Sequence, residues 1–158
     1  MHIHLIQGDV LDAEDCSLCN CVSLDFKMSK GCAYQFREEF QGVHRLKYMA
    51  RNKDVGDVVF LRRNGNYIFY LITKKKFYHK PEYITLRASL RTLRQLCLNY
   101  GITRLAMPKL GTGLDQLSWH RVRMQIEHVF QDTDIDIFVY FLPNWKIIWK
   151  NPPERNKC

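Results

Sequence analysis

Apolar and polar positions alternate over residues 2–7, and this β-rich run ends at Gly8-Asp9, so the pattern predicts a first strand. Residues 18–23 predict a second short strand, and residues 25–31 a loop. The period then lengthens. Ala33, Phe36 and Phe40 recur at helical spacing within residues 32–40, Gly42 interrupts, and residues 43–50 add another helical turn or two. Two β-rich runs, residues 57–62 and 67–73, flank Asn64-Gly65. That dipeptide suits a type I′ turn, whose central residues both need positive φ, so the pair predicts a hairpin. Pro81 stands before a long amphipathic stretch, residues 82–99, with Leu86, Leu90, Leu93 and Cys97 along one face and Gly101 as its stop. Residues 104–107 read as a buried strand, 109–115 as a glycine-bearing loop, 118–130 as a helix and 135–142 as a last strand. Strands alternating with helices in this way predict a layered α/β fold. Residues 143–158 carry Trp145 and Trp149 among basic residues, and are expected to form an extension packed by its tryptophans and frayed at the end.

A chain of 158 residues is long enough for one domain with a real core, and 46% hydrophobic with 25% charged residues excludes a disordered polymer. The longest apolar run is broken by Asp136, so no bilayer span is expected. The N-terminus lacks the basic-then-apolar pattern of a secretory leader, which predicts an intracellular protein, in nucleus or cytoplasm, with reduced thiols. Cys16, Cys19 and Cys21 are clustered, but the second ligand pair that structural zinc needs is missing. Free thiols and no metal are the expectation. His2 and His4 would share one face of an exposed edge strand, while His44 and His79 show no partner in the sequence. The formal charge of +8 favours polyanionic partners such as nucleic acid or phosphorylated ligands, or else describes a solvated basic surface.

Candidate chemistry concentrates after the strands. Leu110-Gly111-Thr112-Gly113-Leu114-Asp115 lies between a strand and a helix, where glycines let the backbone approach a ligand and offer N–H groups to an anion. Gly8-Asp9-Val10 follows the first strand and residues 23–33 the second, and open α/β sheets hold ligands at such strand ends. Lys74 ends the hairpin's second strand. With Cys21-Val22-Ser23, Lys27-Met28, Tyr70-Leu71-Ile72-Thr73-Lys74-Lys75, His79-Lys80-Pro81, Tyr83 and Met107-Pro108, these residues make the chain resemble the macrodomain family over residues 4–142. Within that family it is similar to the terminal ADP-ribose protein glycohydrolases, which also hydrolyse O-acetyl-ADP-ribose.

The resemblance implies a three-layer α/β/α sandwich with a mixed central sheet, the macrodomain occupying residues 1–142 and the extension 143–158. It implies removal of ADP-ribose from acidic residues of modified proteins, with Lys74 as nucleophile and Asp115 as proton carrier. Asp9 would bind the adenine amino group and Val10 would sit against the same base. Ser23, Met28, Gly31, Cys32 and Ala33 would line the distal ribose and diphosphate. Lys109, Leu110, Gly111, Thr112, Gly113 and Leu114 would wrap the phosphates through backbone N–H groups, Pro108 would contact the substrate beside them, and Leu142 would touch the ligand from the last strand. Desolvation and the nearby Lys75 and Lys76 would help Lys74 lose its proton, whereas the Asp115 carboxylate would oppose that loss. The implied partners are ADP-ribose and ADP-ribosylated proteins, with poly-ADP-ribose or nucleic acid on the basic surface, no membrane, no cofactor and a monomeric chain. Ser29-Lys30 and Thr112 depart from the family's smaller residues. Release of ADP-ribose from DNA, and binding without cleavage, are the competing readings.

Overall fold

The computed structural model describes residues 1–143. In chain order the elements are β1 (His2–Gln7), β2 (Ser17–Ser23), α1 (Gly31–Phe40), α2 (Val43–Met49), β3 (Val58–Arg63), β4 (Asn66–Lys74), α3 (Tyr83–Asn99), β5 (Arg104–Pro108), α4 (Trp119–Phe130) and β6 (Asp136–Phe141). Short 3-10 turns at Val10–Asp12 and Ala50–Asn52 were not expected from the pattern. Asp9 explains the first, because its carboxylate accepts the Leu11 N–H and caps a turn too short to show periodicity.

One six-stranded sheet has the order β1-β6-β5-β2-β4-β3. Every neighbouring pair is parallel except β3 with β4. The exception is the expected hairpin: Arg63 pairs with Asn66 across Asn64-Gly65, whose φ values are +53° and +81°.

Alternation along the strands splits the core into two layers. Cys19, Phe69, Leu71, Leu105, Met107, Ile137 and Val139 meet α3 and α4 through Leu86, Leu90, Leu93, Cys97, Val122, Ile126 and Phe130. Leu18, Val22, Val59, Leu61, Ile68, Tyr70, Ile72 and Ala106 meet α1 and α2 through Phe36 and Leu46. The expected three-layer sandwich is therefore present. Each fully covered Leu of α3 contributes about 1.5–3 kcal/mol of burial, which fixes that helix on the sheet. Cys16 and Cys19 lie in opposite core layers. Trp145, Trp149 and Cys158 lie outside the described residues. Among the described residues no helix is long and apolar enough to cross a membrane.

Because β1, β6, β5, β2 and β4 run parallel, their C-terminal ends share one edge of the sheet. The loops that leave that edge carry the candidate site.

Candidate active site

Lys74 is the last residue of β4. The register between β2 and β4 shifts after Val22, so Ser23 stands opposite Lys74 and Thr73 is the extra residue. Irregularities of this kind end pairing and re-aim side chains beside sites. Helix α3 braces the strand end: Ser89 Oγ donates to the Ile72 carbonyl at 3.0 Å and Thr85 Oγ1 to the Thr73 carbonyl at 2.9 Å. Thr85 also accepts the Glu82 N–H, the capping contact that starts α3.

Asp115 sits on the loop between β5 and α4. Leu110 anchors the loop in the core, 1% exposed, so its side chain is structural and its backbone alone can face a ligand. Gly111 follows at φ +69°. Thr112 closes the turn by donating both its N–H and its hydroxyl to the Lys109 carbonyl, at 3.2 and 2.7 Å. Leu117 N–H donates to the Gly111 carbonyl at 2.8 Å, Lys80 Nζ to the Leu114 carbonyl at 3.1 Å, and Ser118 N–H to Tyr83 Oη at 2.9 Å. Thr112 spends its N–H inside the loop, a correction to the expectation that the whole segment would turn such groups toward phosphates.

These two supports bring Lys74 Nζ to 2.7 Å from Asp115 Oδ1. The side chains are 15% and 19% exposed, so the pair is shielded yet open to a substrate. A charge-assisted hydrogen bond this short is a direct path for a proton. Cys21 adjoins the same site: burial and the Asp115 carboxylate push its thiol up, against the pull of Lys74.

A second knot fixes the neighbouring loops. Ser23, itself buried, donates through Oγ to Asp25, which also accepts N–H bonds from Lys27 at 3.2 Å and Phe77 at 3.0 Å. Partial burial pushes the Asp25 carboxyl up, but the hydrogen bonds from Ser23, Phe77 and Lys27, with Lys76 nearby, outweigh it and hold it below its ordinary value. Lys27 Nζ lies 4.1 Å from the Phe77 ring centroid, a further tie between the two loops.

Among the ligand-contacting candidates, Gly31 opens α1 at φ +62°, and a Cβ there would lie 3.3 Å from Leu114 Cδ1. Gly31 and Leu114 are thus brought together across the site. Met28 is buried in the left-handed region at φ +46°, while Cys32 and Ala33 are half-buried in the first turn of α1. Lys30 stands exposed immediately before them. Pro108 ends β5, Gly113 is exposed, and Leu142 is half-buried just past β6. Lys109 Nζ lies 4.8 Å from the Phe141 ring centroid. Val10 is 4% exposed and belongs to the core layer shared with α1. Asp9 already accepts Leu11 N–H and Gln35 Nε2, each at 3.0 Å.

Several expectations change here. Lys75 and Lys76 are exposed, and Lys76 helps to hold the Asp25 carboxyl low. His79 has a local partner, since its Nδ1 accepts the Lys76 N–H at 3.3 Å. His4 stacks on Phe138 and lies 3.6 Å from Asp136. Gln35, Asp25, Lys80 and Tyr83 shape the site although the sequence reading gave them no role. An Asx-turn motif at Asp25 to Lys27 was the available clue for one of them. Gln35 had none, because a polar helix residue is normally read as solvent-facing. Among the described residues no group of three or more His, Cys, Asp or Glu side chains is arranged to hold a metal ion.

No protein-family model matches the chain. It is 45% identical over 141 residues to the ADP-ribose glycohydrolase OARD1 of Bos taurus, covering 89% of this chain and 91% of that one. The macrodomain of Mycobacterium tuberculosis DarG superposes with a TM-score of 0.82 at 25% identity, over 90% of this chain and 98% of that chain. Thermosipho africanus DarTG in complex with ADP-ribose shares the fold, with a TM-score of 0.79 at 22% identity, over 98% of this chain and 46% of that one. Sequence and fold agree: the chain belongs to the macrodomain family, in the branch of its ADP-ribose glycohydrolases.

Proposed function

We propose that this protein removes ADP-ribose from acidic residues of modified proteins, with Lys74 as nucleophile and Asp115 as proton carrier. The observation that carries the reading is the 2.7 Å contact between Lys74 Nζ and Asp115 Oδ1 on the shared loop edge. Family membership with an ADP-ribose glycohydrolase supports the substrate. In the first step a proton passes from Nζ to Asp115, and the amine attacks the anomeric carbon of the distal ribose. A C–N bond forms while the C–O bond breaks, and its electrons leave with the carboxylate of the modified Asp or Glu. Asp115 then gives its proton to the ring oxygen and takes one from the nitrogen, so that the ribose ring opens to a protonated C=N bond on Lys74. Water adds to that carbon, the C–N electrons return to Nζ, which regains its proton from Asp115, and the freed sugar recloses. The surplus proton of water goes to solvent. A module that only binds ADP-ribose has no use for this paired amine and carboxylate.

Asp9 with Gln35 supports a hydrogen-bonding role at the adenine end of the ligand. Ser23, Met28, Gly31, Cys32 and Ala33 support the ribose and diphosphate end. Across from them, Pro108, Lys109 and the Gly111 to Leu114 turn would hold the phosphates, and O-acetyl-ADP-ribose is the small-molecule substrate of the same reading. Lys74→Ala and Asp115→Ala are expected to fold and to lose release of ADP-ribose from a glutamate-modified protein, Asp115→Ala by about 100- to 10,000-fold as for loss of a general acid–base group. Turnover by Lys74→Ala at the wild-type rate would overturn the assignment.

A further inference from the structure

The outer surface of α3 and α4 carries a feature that ADP-ribose hydrolysis does not use. Both helices follow parallel strands and return in the same direction, leaving an open groove between them. A stretch of about 510 Å³ is lined by Arg91, Arg94, Gln95, His128 and Asp132. Another of about 270 Å³, lined by Arg87, Arg121, Met124 and Gln125, joins it at His128. Arg87, Arg91 and Arg94 recur four and three residues apart, so at 1.5 Å per residue they span about 10 Å of α3. Arg121 and His128 are seven residues apart on α4, a matching length.

Most of this charge is uncompensated. Arg94 is paired with Asp132 at 3.0 Å, but among the described residues Arg87, Arg91 and Arg121 have no carboxylate within ion-pair distance. Arg87 Nε is closed off from water with no hydrogen-bond partner. Arg121 lies 3.8 Å from the Tyr83 ring centroid, and the Tyr83 hydroxyl holds Ser118 at the end of the catalytic loop, so the groove starts beside the active site.

We infer that this arginine groove binds the phosphate backbone of a single-stranded nucleic acid, holding the enzyme on it independently of the hydrolase reaction. Guanidinium groups suit phosphates by planar, multidentate donation. The groove is open, which is wrong for an enclosed small ligand. Met124 and Val129 are the two hydrophobic residues among its lining, fewer than a protein partner's buried core needs. The overall charge of +8 points the same way.

The test is fluorescence anisotropy of a labelled 20-nucleotide single-stranded DNA against a salt series, with saturating free ADP-ribose present throughout. Wild type should bind, with affinity falling as salt rises. Arg87→Gln combined with Arg91→Gln should weaken binding at least tenfold and flatten the log–log salt slope by about 1.4, at roughly 0.7 per lost phosphate contact. If that variant melts early, Arg91→Gln with Arg121→Gln carries the same expectation. Lys47→Gln with Lys53→Gln removes equal charge from exposed positions elsewhere and should stay within twofold of wild type. Equal loss in that control would overturn the inference, as would failure of the wild type to bind DNA in the presence of the ADP-ribose, or displacement of the DNA by polyglutamate at matched charge.

Discussion

Gly111 and Gly113 are indistinguishable in the sequence motif, yet the structure separates them. At Gly111 the backbone has φ +69°, and an added Cβ would lie 2.8 Å from Leu117 Cδ1 and 3.4 Å from its Cγ. Alanine in the left-handed region costs about 1–2 kcal/mol. Leu117 packs on the α3/α4 core layer, and turning it aside forfeits about 1 kcal/mol of burial. Gly111→Ala should therefore lose about 2–3 kcal/mol, which for a domain of this size lowers the melting temperature by about 4–12 °C. The same displacement strains the Leu117 N–H bond to the Gly111 carbonyl and shifts the turn that carries Asp115. ADP-ribose affinity by calorimetry should fall at least tenfold, by analogy with other misplaced positioning elements. Gly113 has nothing within 4 Å of a built Cβ and no positive φ, so Gly113→Ala should stay within about 0.5 kcal/mol of wild type. Urea and thermal unfolding of both variants read the difference. Equal stability of the two, or greater damage at Gly113, would refute the account of the loop.

Asp25→Asn removes the charge at the knot between the loops after β2 and β4. The folded carboxyl is held below its unfolded value, so the wild-type advantage should be full from neutral pH down to about 4 and disappear as pH falls further. Urea unfolding of both proteins at pH 7, 5 and 3 checks this, and a gap that widened on acidification would contradict it. Ser89→Ala removes a fully buried hydroxyl that satisfies the Ile72 carbonyl, and should cost about 1–2 kcal/mol in urea unfolding. A neutral substitution would show that the brace on β4 is unimportant.

Much of the fold was legible because local chemistry and tertiary packing agree. The 3.6-residue recurrence of Leu86, Leu90, Leu93 and Cys97 became the wholly buried face of α3. Asn64-Gly65 supplied the two positive φ values of the hairpin turn. Strand order was not legible, because alternation assigns a side chain to a face and says nothing about which strand lies alongside. Nothing local places β2 between β5 and β4. For the site, each loop taken singly was ambiguous, and only the joint resemblance singled out Lys74 and Asp115, 41 residues apart. The bonds that fix the neighbouring loops were hidden for the same reason as the strand order. Gln35 reaches Asp9 from 26 residues away, and Phe77 reaches Asp25 from 52. Such bonds leave no periodic trace in the chain.

The central claim is that the Lys74 amine itself bonds to the sugar. Turnover of a glutamate-ADP-ribosylated protein in the presence of a hydride reductant, followed by digestion and mass spectrometry, tests it most directly. The account predicts an ADP-ribose adduct on Lys74 that is absent from Lys74→Ala. An adduct confined to Lys75, Lys80 or Lys109, or continued release by Lys74→Ala, would contradict it.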